Sequence, residues 1–212
     1  MDVIAQVRKE RGKMLLVLDT GERVSVPLSV FRERPFAEGD TVDMEEYDQW
    51  LMVRQYRYAL QRAVGYLAQR PHSSHEIEEK LLRTGYRPCT VEMVLYKLEK
   101  EKLLNDRDFA EQWAAYRARQ GLGKNRIAQE LRRKGIDSGD TGEILEQVDE
   151  EEQLNAAVRA AEAGLRRSKK DEDIRKTSAR LMGLLVRRGF EYPLARRAIE
   201  RVLKRDIEGE EE

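Results

Sequence analysis

Three amphipathic stretches of this sequence end in the same way, as "KLLRTGY" (80–86), "ELRRKGI" (130–136) and "LLVRRGF" (184–190). In each, a glycine stands just past the apolar periodicity and a bulky apolar residue follows it. A glycine in that place takes the left-handed conformation that closes a last helical turn without a Cβ penalty. In such a stop the residue after the glycine packs against the position five before itself. That pairs Tyr86 with Leu81, Ile136 with Leu131 and Phe190 with Leu185. Gly85, Gly135 and Gly189 are therefore assigned as three structural helix stops.

Aligning the chain on these glycines brings out an internal repeat of about 50 residues. Four before each glycine lies Leu81, Leu131 or Leu185, and eight before lies Ile77, Ile127 or Leu181. Ten after comes Leu95, Leu145 or Ile199, and thirteen after comes Leu98, Val148 or Val202. Twelve before comes Ser73, Gly123 or Thr177, residues that serve as N-caps. "SSHEIEEKL" adds a capping box of Ser73 with Glu76, and Asp108 with Glu111 stands in the same relation. Further helical stretches precede these, at 56–70, 108–120 and 154–170, so each repeat predicts three helices. The acidic "DEEEQ" at 149–153 is compatible with continued helix, and "KKDEDIRK" at 169–176 is expected to be a joint.

Residues 1–48 follow another pattern. "VIAQVRK", "KMLLVLD" and "RVSVPLS" are short β-favouring runs separated by Arg11-Gly12 and the hairpin-type "DTGE". "AEGDTVDMEEY" predicts a turn and another strand, with a short helix around 28–34. The fold class expected is mainly α: three tandem, helix-turn-helix-like three-helix repeats, elongated and curved, behind a small N-terminal antiparallel β domain. The boundaries read as 1–50 for the β domain, 51–104, 105–152 and 153–206 for the repeats, and 207–212 for a disordered acidic tail.

Composition excludes several functions. No apolar run approaches the roughly 18 residues of a membrane span, and "MDVIAQVRKERGK" has no signal-peptide core. The single cysteine, Cys89, cannot form an internal disulfide, so a reducing, cytoplasmic setting is expected. It sits in "YRPCTV", read as a loop, with nothing nearby to activate a thiolate. No phosphate-binding glycine loop or paired-cysteine motif is present. His72 and His75 lack a third ligand and read as a solvated helix end. Catalytic residues, metal and cofactor are all expected to be none. Trp113 and Tyr116 read as core residues.

What remains is segregated charge. Among 40 Lys and Arg and 40 Asp and Glu, one basic cluster holds Arg117, Arg119, Lys124, Arg126, Arg132, Arg133 and Lys134. A second, between Arg187 and Arg205, holds Arg187, Arg188, Arg196, Arg197, Arg201 and Lys204. Such clusters suit phosphates or an acidic protein surface, although any amphipathic helix needs a polar face. A helix-turn-helix transcriptional regulator is the rival reading. Against it, the helix that would enter the groove in the middle repeat is "DTGEILEQVDEEE", which phosphates repel. A helical adaptor without nucleic-acid affinity is a third class.

"LLNDRDFAEQWAAYRAR" (103–119) followed by "GLGKNRIAQELRRKGI" (121–136) resembles the RecX family, regulators of the RecA recombinase. "SSHEIEEKLLRTGY" (73–86) resembles that family's first unit and "RLMGLLVRRGF" (180–190) its third. The resemblance spans about residues 56–205 and implies three tandem three-helix units. It further implies a monomer that binds RecA and RecA filaments on single-stranded DNA, with weak non-specific affinity for single and double strands and none for membranes. Restraint of strand exchange, filament growth and ATP hydrolysis in recombination, DNA repair and the SOS response is the implied role. A curved array would lodge in the filament groove, gaining from several weak contacts at once. The thirteen basic residues above would then face RecA or the DNA backbone.

Overall fold

The computed structural model describes residues 1–166 and 173–209, with the side chains of 205–209 excepted. Four strands open the chain: β1 (Asp2–Glu10), β2 (Lys13–Leu18), β3 (Arg23–Pro27) and β4 (Thr41–Val42). They form one antiparallel sheet in the order β3-β2-β1-β4. Gly12 and Gly21, at φ +83° and +86°, turn the two hairpins. One face of the sheet buries Ile4, Leu16, Leu18, Val24 and Val26 against a short helix, α1 (Leu28–Phe31), and against Tyr47 and Leu51.

The turn and strand expected within "AEGDTVDMEEY" are present, the strand as β4, and Tyr47 and Leu51 belong to α2 (Met44–Leu67), which opens directly after Asp43. Asp43 accepts hydrogen bonds from the Glu45 and Glu46 amides, an N-cap reinforced by two carboxylates at the positive helix end. The helix starts there and not near residue 56. One unbroken α2 thus serves the sheet with its first half and, through Ala59 and Ala63, the first repeat with its second. A boundary at 50/51 falls inside it.

The first repeat is completed by α3 (Ser74–Arg83) and α4 (Pro88–Lys100). The second comprises α5 (Asp106–Arg119), α6 (Lys124–Arg133) and α7 (Ser138–Glu146). The third comprises α8 (Glu150–Leu165), α9 (Ile174–Arg187) and α10 (Tyr192–Gly209). Each has its own core. Leu81 and Tyr86 share one cluster, Leu131 and Ile136 a second, and Leu185 and Phe190 a third. By contacts the chain divides into two compact units, Met1–Asn105 and Asp106–Glu212.

All three stops have the expected geometry. Gly85, Gly135 and Gly189 stand at φ +94°, +79° and +86°. The amides of Tyr86, Ile136 and Phe190 donate to the carbonyls of Leu81, Leu131 and Leu185 at 3.1–3.3 Å. Each glycine amide also donates to the carbonyl three residues earlier, at 2.9–3.1 Å. This double closure satisfies carbonyls that a helix end otherwise leaves without partners.

Several local expectations are corrected. Ser73 makes the capping box with Glu76, but the third repeat is capped by Asp173, whose carboxylate accepts from the Arg175 amide. The helix there is one turn longer than in the other repeats, and Thr177 is buried inside it. Residues 173–176 therefore begin α9, and the remainder of the expected joint, 169–172, lies outside the described residues. Helix α5 begins at Asp106, so the Asp108–Glu111 pair sits within its first turns. Cys89 lies in the first turn of α4, exposed, with Pro88 at the opening position. Helix α10 continues to Gly209, through the start of the expected acidic tail, and residues 210–212 lie outside the described residues. His72 is not solvated. It is 3% exposed, its Nδ1 is 2.9 Å from the Arg70 carbonyl and its Nε2 faces Lys80 Nζ.

Candidate interaction surface

The second and third repeats meet at a glycine seam. The Gly123 and Asn125 amides, at the start of α6, donate to the carbonyls of Arg188 and Gly189 at 2.9 and 3.0 Å. Gly123 is the α6 N-cap and offers no side chain for capping. The carbonyls at the end of α9 take that place, so the amides at one helix start and the carbonyls at another helix stop satisfy each other. Contact is at backbone distance. A Cβ on Gly123 would lie 2.2 Å from the Gly189 carbonyl, and one on Gly189 would lie 2.3 Å from the Arg126 amide nitrogen. Sequence reading assigned Gly189 to the helix stop and Gly123 to a cap but missed their contact, since nothing local reports it.

This seam brings the two basic clusters together. Lys124 lies between the two α6 amides that make it, and Arg187 and Arg188 end the helix that receives them. The Arg188 guanidinium reaches over Gly121, 3.7 Å from where a Cβ would stand. At the opposite end of α6, Arg132 and Arg133 are exposed beside the exposed Gly135. Arg119, Lys124, Arg132, Arg133, Arg187, Arg188 and Arg201 form no ion pair with a described residue.

The other expected residues have internal work. Arg117 donates to both oxygens of Glu130, from Nε at 2.7 Å and from Nη2 at 2.6 Å. The Trp113 indole donates to the same carboxylate at 3.2 Å, and Arg126 pairs with it at 3.6 Å. Burial alone would raise the Glu130 pKa. The hydrogen bond and charge of Arg117, with help from Trp113 and Arg126, hold it below the usual carboxylate range. Lys134 Nζ sits 4.1 Å from the centroid of the Trp113 ring and 5.2 Å from that of Phe109, a cation–π arrangement. Trp113 is half-buried and packs against the core of the second repeat, whereas Tyr116, expected there too, is 52% exposed.

In the third repeat Arg196 pairs with Glu200 at 2.8 Å, and Arg197 reaches Glu150 on α8 at 2.7 Å. Lys204 is exposed on the same helix. The middle repeat's third helix, α7, presents exposed Asp140, Glu143 and Glu146, a poor surface for entering a DNA groove. Among the described residues no His, Cys, Asp and Glu group could hold a metal ion. No described helix is long and apolar enough to cross a membrane.

Family models for the first, second and third three-helix domains of RecX match residues 59–98, 105–143 and 150–199. Regulatory protein RecX of Prosthecochloris aestuarii is 36% identical over 149 residues, covering 69% of this chain and 95% of that protein. The chain belongs to the RecX family. A RecX regulatory protein from a Mycobacterium species (strain JLS) is likewise 36% identical, over 61% of this chain and 73% of its own. A crystal structure of a RecX regulatory protein superposes with a TM-score of 0.64 at 24% identity, covering 92% of this chain and 97% of that one. The N-terminal sheet lies outside the three family models. The family is one of regulatory proteins, and its three-helix domains coincide with the repeats marked by Gly85, Gly135 and Gly189.

Proposed function

We propose that this chain binds RecA and RecA–single-strand filaments in the cytoplasm, as a monomer lodged in the filament groove. There it modulates, chiefly by inhibition, strand exchange and ATP hydrolysis during recombination and DNA repair, including the SOS response. Membership of the RecX family supports the reading, together with one observation. Seven arginines and lysines of the two basic clusters form no ion pair with a described residue, while Arg117, Arg126, Arg196 and Arg197 beside them do. The contacting residues proposed are Arg119, Lys124, Arg132, Arg133, Arg187, Arg188 and Arg201, with Lys204 beside them. Arg117, Arg126, Lys134, Arg196 and Arg197 act by holding the helices that present them. Free DNA would be held weakly through its phosphates, without base reading.

The deciding experiment titrates the protein onto RecA-coated single strands, bare single strands and random duplex at two salt concentrations. Preference for the RecA-coated strand, with loss of ATPase inhibition in Arg132→Glu/Arg133→Glu, is expected. Equal affinity for all three substrates with a steep salt dependence would reduce the activity to simple phosphate binding. Tight, sequence-selective duplex binding would instead favour a transcriptional regulator.

A further inference from the structure

In the first compact unit a cavity of about 370 Å³ opens between α1, α2 and the segment after the first helix stop. Its size lies at the lower end of small-ligand sites. Tyr58, Arg62 and Tyr66 line it at four-residue intervals along α2, so they share one helical face. Gln61 and Gln69 flank them, and Ser29 and the buried Tyr86 form the opposite wall.

The rings are fixed. The Tyr58 hydroxyl donates to Glu33, and Lys80 Nζ lies 4.5 Å from the centroid of the Tyr66 ring. Burial raises the Tyr86 pKa, while hydrogen bonding to Ser29 and the charge and hydrogen bonding of Arg62 work against it. Its hydroxyl thus lies at the cavity wall beside Ser29 and Arg62. Arg62 has no ion pair with a described carboxylate.

Gly65 lines the same cavity in the interior of a 24-residue helix. Glycine there costs about 1 kcal/mol relative to alanine. Packing does not require it, because a Cβ at Gly65 would meet no atom within 4 Å. What the missing side chain does is leave the cavity open.

From these features we infer that this cavity takes one nucleotide: a base laid against Tyr58 or Tyr66, with its phosphate on Arg62. Aromatic faces bind bases of any sequence by stacking. Two glutamine amides, a serine and a tyrosine hydroxyl offer donors and acceptors suited to the heteroatoms of a base edge. An apolar aromatic side chain from a protein would leave those groups without partners, at a cost. The inference does not depend on the RecA reading, since no residue of the basic seam enters it.

Gly65→Leu provides a plug whose Cβ meets no atom within 4 Å and which raises helix propensity. The full chain, the plug variant and Arg62→Gln would be titrated with AMP and with a pentathymidylate in which one base is 5-iodouracil. Photocrosslinked sites would be mapped by mass spectrometry. Crosslinks at Tyr58 or Tyr66, and affinity for the pentanucleotide reduced about ten-fold or more by the plug at an unchanged or raised Tm, are expected. Parallel loss of AMP binding would identify a free nucleotide as a second source of the ligand, and loss with the strand alone would identify a single strand as the source. Arg132→Glu/Arg133→Glu should leave the Tyr58 or Tyr66 crosslink in place. Undiminished binding in the plug variant, or crosslinks confined to the second compact unit, would overturn the inference. So would a plug that weakens only association with RecA protein, which would assign the cavity to a protein side chain.

Discussion

Gly135 and Gly189 occupy the same place in two copies of one motif, yet their surroundings differ. Both stand in the left-handed region, where a Cβ costs about 1–2 kcal/mol. Gly135 is exposed, whereas Gly189 is buried under α6 with no room for a methyl group. Gly135→Ala should therefore lose only the conformational cost. Gly189→Ala should lose a further 1–3 kcal/mol, approximately, from overpacking at the seam. Thermal midpoints measure the contrast, at about 2–4 °C per kcal/mol for a chain of this length. Equal losses in the two variants would remove the seam as a stabilising contact. His72 supplies a second residue-scale test. Burial holds its imidazole below the ordinary histidine range; the charges of Arg70 and Lys80 add to this, and the hydrogen bond to the Arg70 carbonyl opposes it. The unfolded chain binds a proton near pH 6.5, so between that value and the lower native pKa it holds more protons than the native state. Stability from this residue is complete above about pH 6.5 and declines as pH falls through that window. Denaturation midpoints of His72→Gln should fall less steeply than those of the parent between about pH 7 and 5, and parallel curves would show that His72 does not titrate across folding.

At the scale of elements, all three stops were legible in the sequence, but the starts only in part: Ser73 and Gly123 cap α3 and α6 as expected, and Thr177 does not cap α9. A stop is written locally, as an apolar residue, a glycine and another apolar residue at fixed spacing, and all three appear where that spacing put them. The starts at Asp43 and Asp173 were missed because the polar first turns of α2 and α9 carry no apolar period. Core columns show the same division. The residues ten after each glycine were expected to be buried, but Leu95 and Leu145 are only half-buried. Buried instead are the positions six and nine after it, Val91, Thr141 and Ala195, then Val94, Ile144 and Ala198. Threonine and alanine carry little hydropathy signal, so tertiary packing alone identifies them. A further stop escaped notice because it lacks glycine. Lys102 stands at φ +57° after α4, with its own amide on the Glu99 carbonyl and the Leu103 amide on that of Leu98, both at 2.9 Å. It is the one non-glycine residue at positive φ among those described. Lys102→Gly should relieve that strain and stabilise the chain by about 1 kcal/mol, raising Tm by roughly 2–4 °C; a lowered Tm would mean that the lysine side chain contributes more than its backbone costs.

For the whole molecule, the basic positions were visible as sequence clusters, but the division of labour within them was not. Arg117 and Arg126 converge on Glu130, and Arg197 on Glu150 far away in sequence, so only the fold separates cations with partners from cations without. Both kinds lie in the same one of the two compact units. Asp106–Glu212 encloses the cores of the second and third repeats, the glycine seam and all seven unpartnered cations of the proposed surface. Met1–Asn105 encloses the sheet, the first repeat and the tyrosine-lined cavity. Because each unit closes its own core, fragments 1–105 and 106–212 should each unfold cooperatively when produced alone. Salt-dependent binding to single strands longer than the pentanucleotide should follow fragment 106–212, since phosphate contacts release counterions wherever the cations are. Removing Arg132 and Arg133 from that fragment should flatten the slope of log affinity against log salt by about 0.7 per side chain that touches a phosphate. An unchanged slope would mean that neither arginine meets the backbone and would move the contact to the seam, where Lys124, Arg187 and Arg188 remain.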